Sequence, residues 1–127
     1  MTYVAIGFII GTGGFIGSVA RFFSSRLIQS LSLTTFPFGT FAVNIVGCLL
    51  IGILYGLSER GNLLNAEWRM FLTVGFCGGF TTFSTFAVEN FTLLREREFF
   101  YFALYMGLSV FLGILATFLG NYSTKLL

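Results

Sequence analysis

Charged residues, histidine and proline are all scarce in this chain of 127 residues. Only 9% of the residues are charged, one is proline and none is histidine, whereas 56% are hydrophobic. A soluble domain of this length carries far more charge, so the composition predicts a membrane protein. No nucleic-acid partner is expected.

Groups that support enzymatic chemistry are missing as well. The chain has no Cys-x-x-Cys pattern and no serine beside a plausible base. Its glycine-rich segments are not followed by the Gly-Lys-Ser/Thr of a phosphate-binding loop. Cys48 and Cys77 lie within apolar stretches, where free thiols behave as small apolar side chains. We therefore expect neither an enzyme, nor a disulfide, nor a cysteine metal site.

Four apolar stretches remain, at about residues 3–23, 38–57, 68–94 and 99–120. Each is close to or above the roughly 20 residues that a helix needs to cross the hydrocarbon layer. The first is too long for a signal peptide, has no basic residue before it, and contains Gly11-Thr12-Gly13-Gly14, so we expect a permanent span. The sequence predicts an all-α integral membrane protein with one transmembrane domain over residues 1–127.

A polar, glycine-rich segment interrupts the third stretch. Residues 75–86 read Gly-Phe-Cys-Gly-Gly-Phe-Thr-Thr-Phe-Ser-Thr-Phe. Each glycine weakens a helix by roughly 1 kcal/mol, and lipid cannot hydrogen-bond the backbone groups that a break exposes. Irregular backbone at mid-membrane is tolerated only where it is buried in protein or lines a path for ions or water. We therefore predict a break in the third helix and expect the functional site there.

Basic residues are nearly balanced between the two sides of the predicted spans. If the chain threads back and forth, the sets on the two sides are Arg21, Arg26, Arg95 and Arg97 against Arg60, Arg69 and Lys125. So small a bias does not select an orientation. The chain is predicted to insert both ways and thereby to supply an antiparallel pair, with a single orientation as the alternative.

Several glycines have the small-xxx-small spacing that lets helices approach closely in lipid. The pairs are Gly7 and Gly11, Gly13 and Gly17, and Gly52 and Gly56. Four helices hardly enclose a path by themselves, so we expect a homodimer with functional elements near or between its subunits. Packing within one subunit is an equally good use of any single pair.

Two polar stripes are predicted on the spans. Thr40 and Asn44 lie four residues apart on the second span, and Tyr105 and Ser109 lie four apart on the last. An amide inside a membrane has to be paired or face water, which favours a functional role for Asn44. For Thr40 or Ser109 alone, a hydrogen bond to its own helix backbone is an open alternative.

The predicted lining carries no charge at mid-membrane, because residues 5–19, 41–55 and 71–88 contain no Asp, Glu or Lys. A metal cation would require carboxylates or dense carbonyls. Hydroxyl and amide donors and the electropositive edges of aromatic rings suit an anion instead. Phe83 and Phe86, three residues apart, share a helix face and are candidates for such ring contacts.

Three segments together resemble the Fluc (CrcB) family of bacterial fluoride channels. They are residues 75–86, quoted above, Gly-Thr-Phe-Ala-Val-Asn at 39–44, and Gly-Gly-Phe-Ile-Gly-Ser-Val-Ala-Arg at 13–21. The resemblance covers essentially the whole chain. It implies an antiparallel, dual-topology homodimer in the inner membrane with two pores, passive export of fluoride and a central structural Na⁺ at the break in the third helix.

The same resemblance assigns residues to parts of the channel. The carbonyls of Gly78 and Thr81 match those that face the sodium ion shared by both subunits. Phe83 and Phe86 match the pore phenylalanines, and Asn44 matches the pore asparagine whose amide hydrogens solvate the anion.

Further positions match the polar track and its two ends. Ser84 and Thr85 match hydroxyls of the track, Arg21 resembles an arginine near the wide vestibule, and Glu89 matches an acidic residue by the pore mouth. One departure is found in the last helix, where many relatives have a Gly-Ser pair but Gly113 is followed here by isoleucine. Either Ser109 takes over that role or the track is shorter by one donor.

Two other classes of membrane protein share some of these features. A small proton-coupled multidrug exporter is also a four-helix, dual-topology dimer, but it requires a mid-membrane carboxylate in the first span, which this chain lacks. A purely structural membrane subunit would explain the glycine pairs. It would leave the segment around Gly78 and Gly79 and the stripe at Asn44 without a role.

Overall fold

The computed structural model describes residues 2–61 and 63–127, which form helices and connecting turns without a strand. In chain order the elements are α1 (Tyr3–Ser30), α2 (Phe38–Glu59), α3 (Ala66–Met70), a π-helical segment (Phe71–Cys77), α4 (Gly78–Phe80), α5 (Phe83–Arg95), α6 (Phe99–Ser123) and a 3₁₀ turn (Thr124–Leu126).

Four helical units of the described chain are long and apolar enough to cross a membrane. They are Tyr3–Ser30, Phe38–Glu59, Ala66–Arg95 and Phe99–Leu126, with the highest mean hydropathy, 2.1, in the second and fourth. The all-helical architecture with four such units agrees with the sequence prediction.

Helix α1 continues past the predicted end of the first span, residue 23, to Ser30. The prediction placed the end where hydropathy falls, but a helix can continue outside the apolar layer. The hydroxyls of Ser25 and Ser30 donate to the carbonyls of Phe22 and Leu27 in the preceding turn, so the polar side chains do not disrupt the helix. Pro37, which can begin a helix but not continue one, precedes α2.

Side-chain hydrogen bonds join the first and third loops at one end of the helices. Gln29 on α1 donates to the carbonyl of Phe36 and accepts from the N–H of Gly39, while the Thr35 hydroxyl donates to Glu98. The first and third loops therefore lie at the same end of the chain, as back-and-forth threading requires.

Helices pack most closely at glycines. A β-carbon at Gly17 would overlap the carbonyl of Phe76, so α1 lies directly against the backbone of the third span. A β-carbon at Gly52 would overlap the carbonyl of Thr117, which brings α2 equally close to α6. These two seams hold α1 against the third span and α2 against α6.

Gly7 and Gly11 behave differently from the other predicted glycine pairs. A β-carbon at either position would have nothing within 4 Å. This pair therefore plays no part in packing within the described chain.

The third span leaves helical geometry between α4 and α5. Thr81 (φ −96°, ψ 158°) and Thr82 (φ −151°, ψ 122°) are extended, and Phe83 begins the next helix. A π-helical segment ends just before, at Cys77. Insertions of this kind, which shift the hydrogen-bond register, are frequent at functional sites. Thr82 directs both of its backbone groups at Asn44 of α2, whereas the Thr81 N–H still donates to the carbonyl of Cys77.

Candidate functional site

Asn44 holds the extended pair from the side. Its Nδ2 donates to the carbonyl of Thr82 at 3.1 Å, and its Oδ1 accepts from the Thr82 N–H at 2.8 Å. The amide thereby pairs both backbone groups of a residue that has left the helix. One of its two amide hydrogens is engaged with Thr82, and the other remains for a further acceptor.

This arrangement diverts the donors that a continuous helix would direct at Gly78 and Thr81. In an α-helix each carbonyl accepts from the N–H four residues later. The N–H of Thr82, which would serve Gly78, donates to Asn44. The N–H of Thr85, which would serve Thr81, donates at 3.2 Å to the Thr82 hydroxyl, the N-cap of α5.

Arg21 contacts the same turn from α1. Its Nε donates to the carbonyl of Gly79 at 3.0 Å. A guanidinium keeps further donors after one such bond. The predicted vestibule arginine is thus anchored to the backbone beside the extended pair.

A cavity of about 450 Å³ opens beside the extended pair. Its lining includes residues from α2, the third span and α6, among them Asn44, Thr82, Phe83, Phe86 and Ser109. The predicted carbonyl residues Gly78 and Thr81 line it as well. None of the lining residues within the described chain is charged.

The two predicted phenylalanines occupy different surroundings. Their ring centroids are 5.8 Å apart with the planes tilted by 42°. Phe86 is 8% exposed and packs on Tyr105 with centroids 4.8 Å apart, whereas Phe83 is 79% exposed. Phe86 therefore belongs to the core of the single chain, and Phe83 projects from it.

Ser109 brings an unused hydroxyl to the cavity. Its Oγ is buried and has no hydrogen-bond partner among the described residues. The alternative of a bond to its own helix backbone is therefore wrong for Ser109. A buried hydroxyl without a partner is unfavourable, which indicates that this position is suited to a ligand with hydrogen-bonding capacity.

Thr40, Tyr105 and Glu89 form a polar cluster next to the cavity. The Thr40 hydroxyl donates to Glu89 Oε2, and the Tyr105 hydroxyl donates to Glu89 Oε1, both at 2.9 Å. Thr40 and Tyr105 are buried. Because Asn44 and Ser109 lie one turn along α2 and α6, each predicted polar stripe runs from the cavity to this cluster.

The remaining predicted hydroxyls lie on α5 outside the cavity lining. Ser84 is exposed, with its Oγ 3.4 Å from the Thr82 hydroxyl. Thr85 Oγ1 accepts from the Thr82 hydroxyl at 3.1 Å. These two residues belong to the network that caps α5.

Sequence reasoning missed two polar residues of the third span, of which only Thr82 takes part in the site. Thr82 caps α5 and pairs with Asn44; a threonine directly before the second half of the span was the available signal. Asn90 is buried, and its Nδ2 donates to the carbonyl of Phe86 at 2.9 Å while its Oδ1 has no partner in the described chain. An amide seven residues after Phe83 on an apolar helix was the signal for it.

Both Cys48 and Cys77 are free thiols.

Comparison with known proteins supplies the family. A family model described as CrcB-like protein, Camphor Resistance (CrcB), matches residues 8–121. A protein of Flavobacterium psychrophilum named fluoride-specific ion channel FluC is 46% identical over 118 residues, which cover 93% of this chain and 95% of that protein.

Two further relatives carry the same name. The protein of Bacteroides fragilis strain ATCC 25285 is 50% identical over 113 residues, covering 87% of this chain and 88% of its own length. That of Chlorobium phaeobacteroides strain BS1 is 46% identical over 118 residues, covering 93% and 91%. All three are ion channels by name and not enzymes. The chain belongs to the CrcB-like family of multi-pass membrane proteins, as its motifs at 13–21, 39–44 and 75–86 indicated.

Proposed function

We propose that this chain is a fluoride-selective channel that lets fluoride leave the cytoplasm passively across the plasma (inner) membrane and so confers fluoride resistance. The observation that carries the proposal is the uncharged cavity in which the Asn44 amide, the unpaired Ser109 hydroxyl and the rings of Phe83 and Phe86 meet. The names of the curated relatives support the same ion.

The chemistry of this cavity suits a small, strongly hydrogen-bonding anion. Asn44 and Ser109 each offer a donor, and aromatic rings present an electropositive edge. A fixed positive charge would hold the anion tightly, whereas conduction requires binding weak enough for release. The neutral lining therefore favours conduction of the anion over tight binding.

The polar stripes supply a continuation of the path. From the cavity, the anion would pass towards Thr40 and Tyr105, whose hydroxyls donate to Glu89 at the pore mouth and would have to turn from the carboxylate to the anion. Ser84 and Thr85 would add hydroxyls on α5. At the vestibule, the cationic Arg21 would raise the local anion concentration before entry.

A second copy would complete the pathway. Phe83 is 79% exposed, and Gly78 is exposed with nothing within 4 Å of a β-carbon placed there. An antiparallel partner would cover both positions and give the dimer two pores. Near balance of the basic residues supports dual topology, and the extended pair would be the predicted break at the dimer centre.

The carbonyl groups at this position fit a structural Na⁺. The N–H groups that would bond to the carbonyls of Gly78 and Thr81 in a continuous helix donate instead to Asn44 and to the Thr82 hydroxyl. The two carbonyl oxygens are therefore available for a hard cation. These two residues, contributed by both subunits, would hold the ion. Bound there, Na⁺ would supply positive charge that offsets the carbonyl dipoles and joins the subunits.

Ion selectivity can be tested with purified protein in liposomes loaded with equal concentrations of fluoride and chloride. We expect fluoride release, measured with a fluoride electrode, while chloride is retained. Protein-free liposomes provide the leak control. Equal release of both ions would refute the proposed selectivity, and retention of both would refute the channel.

Topology can be tested independently of conduction. Three lysines added after Lys125 should shift the chain towards one orientation, as read by accessible tags at the C-terminus, and lower fluoride efflux from cells. A copy with lysines added in the loop at Arg95–Glu98 should restore efflux when co-expressed. Three glutamines at the same tail position are the matched control. A single orientation of the unmodified chain would contradict dual topology.

A further inference from the structure

Two adjoining cavities lie along one side of α6, and the second of them borders the uncharged cavity at Val110. The first, of about 470 Å³, is found where α2 and α6 end, and polar residues line it. The second, of about 640 Å³, is lined only by apolar side chains and a glycine of α6 between Met106 and Phe118. Ile114 and Phe118 line both, so the polar pocket opens directly into the apolar groove.

The dimensions of the groove match a lipid chain. Twelve residues of helix from Met106 to Phe118 extend roughly 18 Å at 1.5 Å per residue. One leaflet of the hydrocarbon core is about 15 Å thick, half of the roughly 30 Å of the whole core. The groove is therefore about as long as one leaflet is deep.

The polar pocket carries one charge of each sign. Glu59 at the end of α2 and Lys125 after α6 both line it, together with Asn121. Asn121 Nδ2 lies 3.5 Å from Glu59 Oε1, which leaves the carboxylate with ample accepting capacity. Lys125 Nζ is 5.6 Å from the ring centroid of Tyr122.

Other residues near the ends of α2 and α6 join these two helices or mark the membrane boundary. Arg60 is turned inward, because its Nε donates to the Thr124 hydroxyl at 2.9 Å. Tyr55 and Tyr122 also line the pocket, and tyrosine is enriched where the hydrocarbon meets the headgroups. The pocket is therefore at headgroup depth while the groove lies in the acyl layer.

We propose that this surface binds one phospholipid with a primary ammonium headgroup, of the phosphatidylethanolamine class. Lys125 donates to the phosphate, Glu59 accepts from the ammonium group, and one acyl chain lies in the groove past Ile114 and Phe118. The pair of opposite charges is complementary to a zwitterionic headgroup, whereas a purely anionic headgroup would face Glu59 without compensation.

The groove borders the uncharged cavity, because Val110 lines both. A second copy of the chain is thus the competing occupant. It would cover the apolar groove, but it gives no role to Glu59 and Lys125 facing the same pocket. This difference allows an experiment to separate the two occupants.

Native mass spectrometry of the purified, full-length protein provides the test. Equimolar phosphatidylethanolamine, phosphatidylglycerol and phosphatidylcholine with identical acyl chains are added, and the retained lipid is counted. We expect phosphatidylethanolamine to exceed phosphatidylcholine by roughly threefold to fivefold, since one charge pair at a wet surface contributes only a modest factor. Phosphatidylcholine carries the same phosphate, but its ammonium group has no N–H to donate.

Charge variants identify the headgroup contacts. Lys125→Gln should lower retention of phosphatidylethanolamine and phosphatidylglycerol alike, and Glu59→Gln should abolish only the preference for phosphatidylethanolamine. Glu67→Gln and Arg69→Gln, two exposed residues of α3, change the net charge equally and should retain the wild-type preference. Equal retention of the three lipids, or an unchanged preference in both pocket variants, would overturn the proposal.

Filling the groove separates lipid from a second copy. Ile114 is 67% exposed, so Ile114→Trp places a large ring in the groove without disturbing the core. We expect lower retention of all three lipids with the oligomeric state unchanged. Dissociation of the oligomer with lipid retention unchanged would assign the groove to a second copy and refute lipid binding there.

Discussion

Replacement of Asn44 by Asp tests the anion path with little change in volume. The aspartate keeps an oxygen to accept from the Thr82 N–H but loses the donor to the Thr82 carbonyl, now 3.1 Å away. Leaving a buried polar group unpaired costs about 1–3 kcal/mol. This is a fraction of the roughly 5–15 kcal/mol by which proteins are stable, so we expect Asn44→Asp to fold.

Its effect on conduction should be much larger than its effect on folding. At about 4 Å, and with an effective dielectric constant of 20, two like unit charges repel by about 4 kcal/mol. Since 1.4 kcal/mol corresponds to a factor of ten in an equilibrium constant, an anion at the cavity would be disfavoured by roughly a thousandfold. Fluoride efflux from liposomes, normalised to folded protein, should fall by about two to three orders of magnitude.

Asn90→Asp is the matched control. Asn90 is another buried amide of the membrane region that donates to a backbone carbonyl, that of Phe86 at 2.9 Å. It does not line the cavity. Asn90→Asp should therefore lose some stability, measured by thermal unfolding in detergent, and keep efflux close to wild type. Equal loss of efflux in both variants would show that charge within the membrane, not the anion path, explains the result.

Five further substitutions test packing and conduction separately. Phe83→Ile should slow fluoride efflux strongly with only a small loss of melting temperature, because the substitution roughly keeps the apolar volume and removes only the ring. Phe86→Ile should lower both, through loss of the ring pair with Tyr105, and wild-type efflux in both would show that the rings only pack. Ser109→Ala should slow efflux without loss of stability, since its hydroxyl has no partner among the described residues. Unchanged efflux would remove Ser109 from the path. Gly17→Ala should destabilise the fold by about 1–3 kcal/mol through overlap with the neighbouring backbone. Gly11→Ala should be neutral or slightly stabilising. Similar melting temperatures of the two variants would contradict the packing described for α1.

Prediction from sequence succeeded where one short-range rule decides the outcome. Hydropathy located four helices, and spacing of four residues placed Thr40 with Asn44 and Tyr105 with Ser109. The predicted span 3–23 says nothing about where the helix itself ends, because hydropathy reports where lipid ends, whereas α1 ends only where its hydrogen bonding stops, at Ser30.

Contacts between helices could not be read in the same way. Thr40 and Tyr105 come from different helices and meet at Glu89, forty-nine and sixteen residues away in sequence. Their meeting depends on the close approach of α2 and α6 at glycines such as Gly52. Small-xxx-small spacing identifies glycines that permit such an approach, but only the three-dimensional structure shows that Gly52 is used and Gly7 is not.

In the proposed channel, the two bonds between Asn44 and Thr82 would connect the helix interruption to anion recognition. A single bond would let the amide rotate, but a donor and an acceptor engaged on one residue fix its plane. The second amide hydrogen is then held in a fixed direction, and no further ordering of that side chain is required when an anion arrives. The extended geometry of Thr82 thus has two consequences. It diverts the N–H groups that would otherwise bond to the carbonyls of Gly78 and Thr81, and it pre-organises the donor that Asn44 offers to the uncharged cavity.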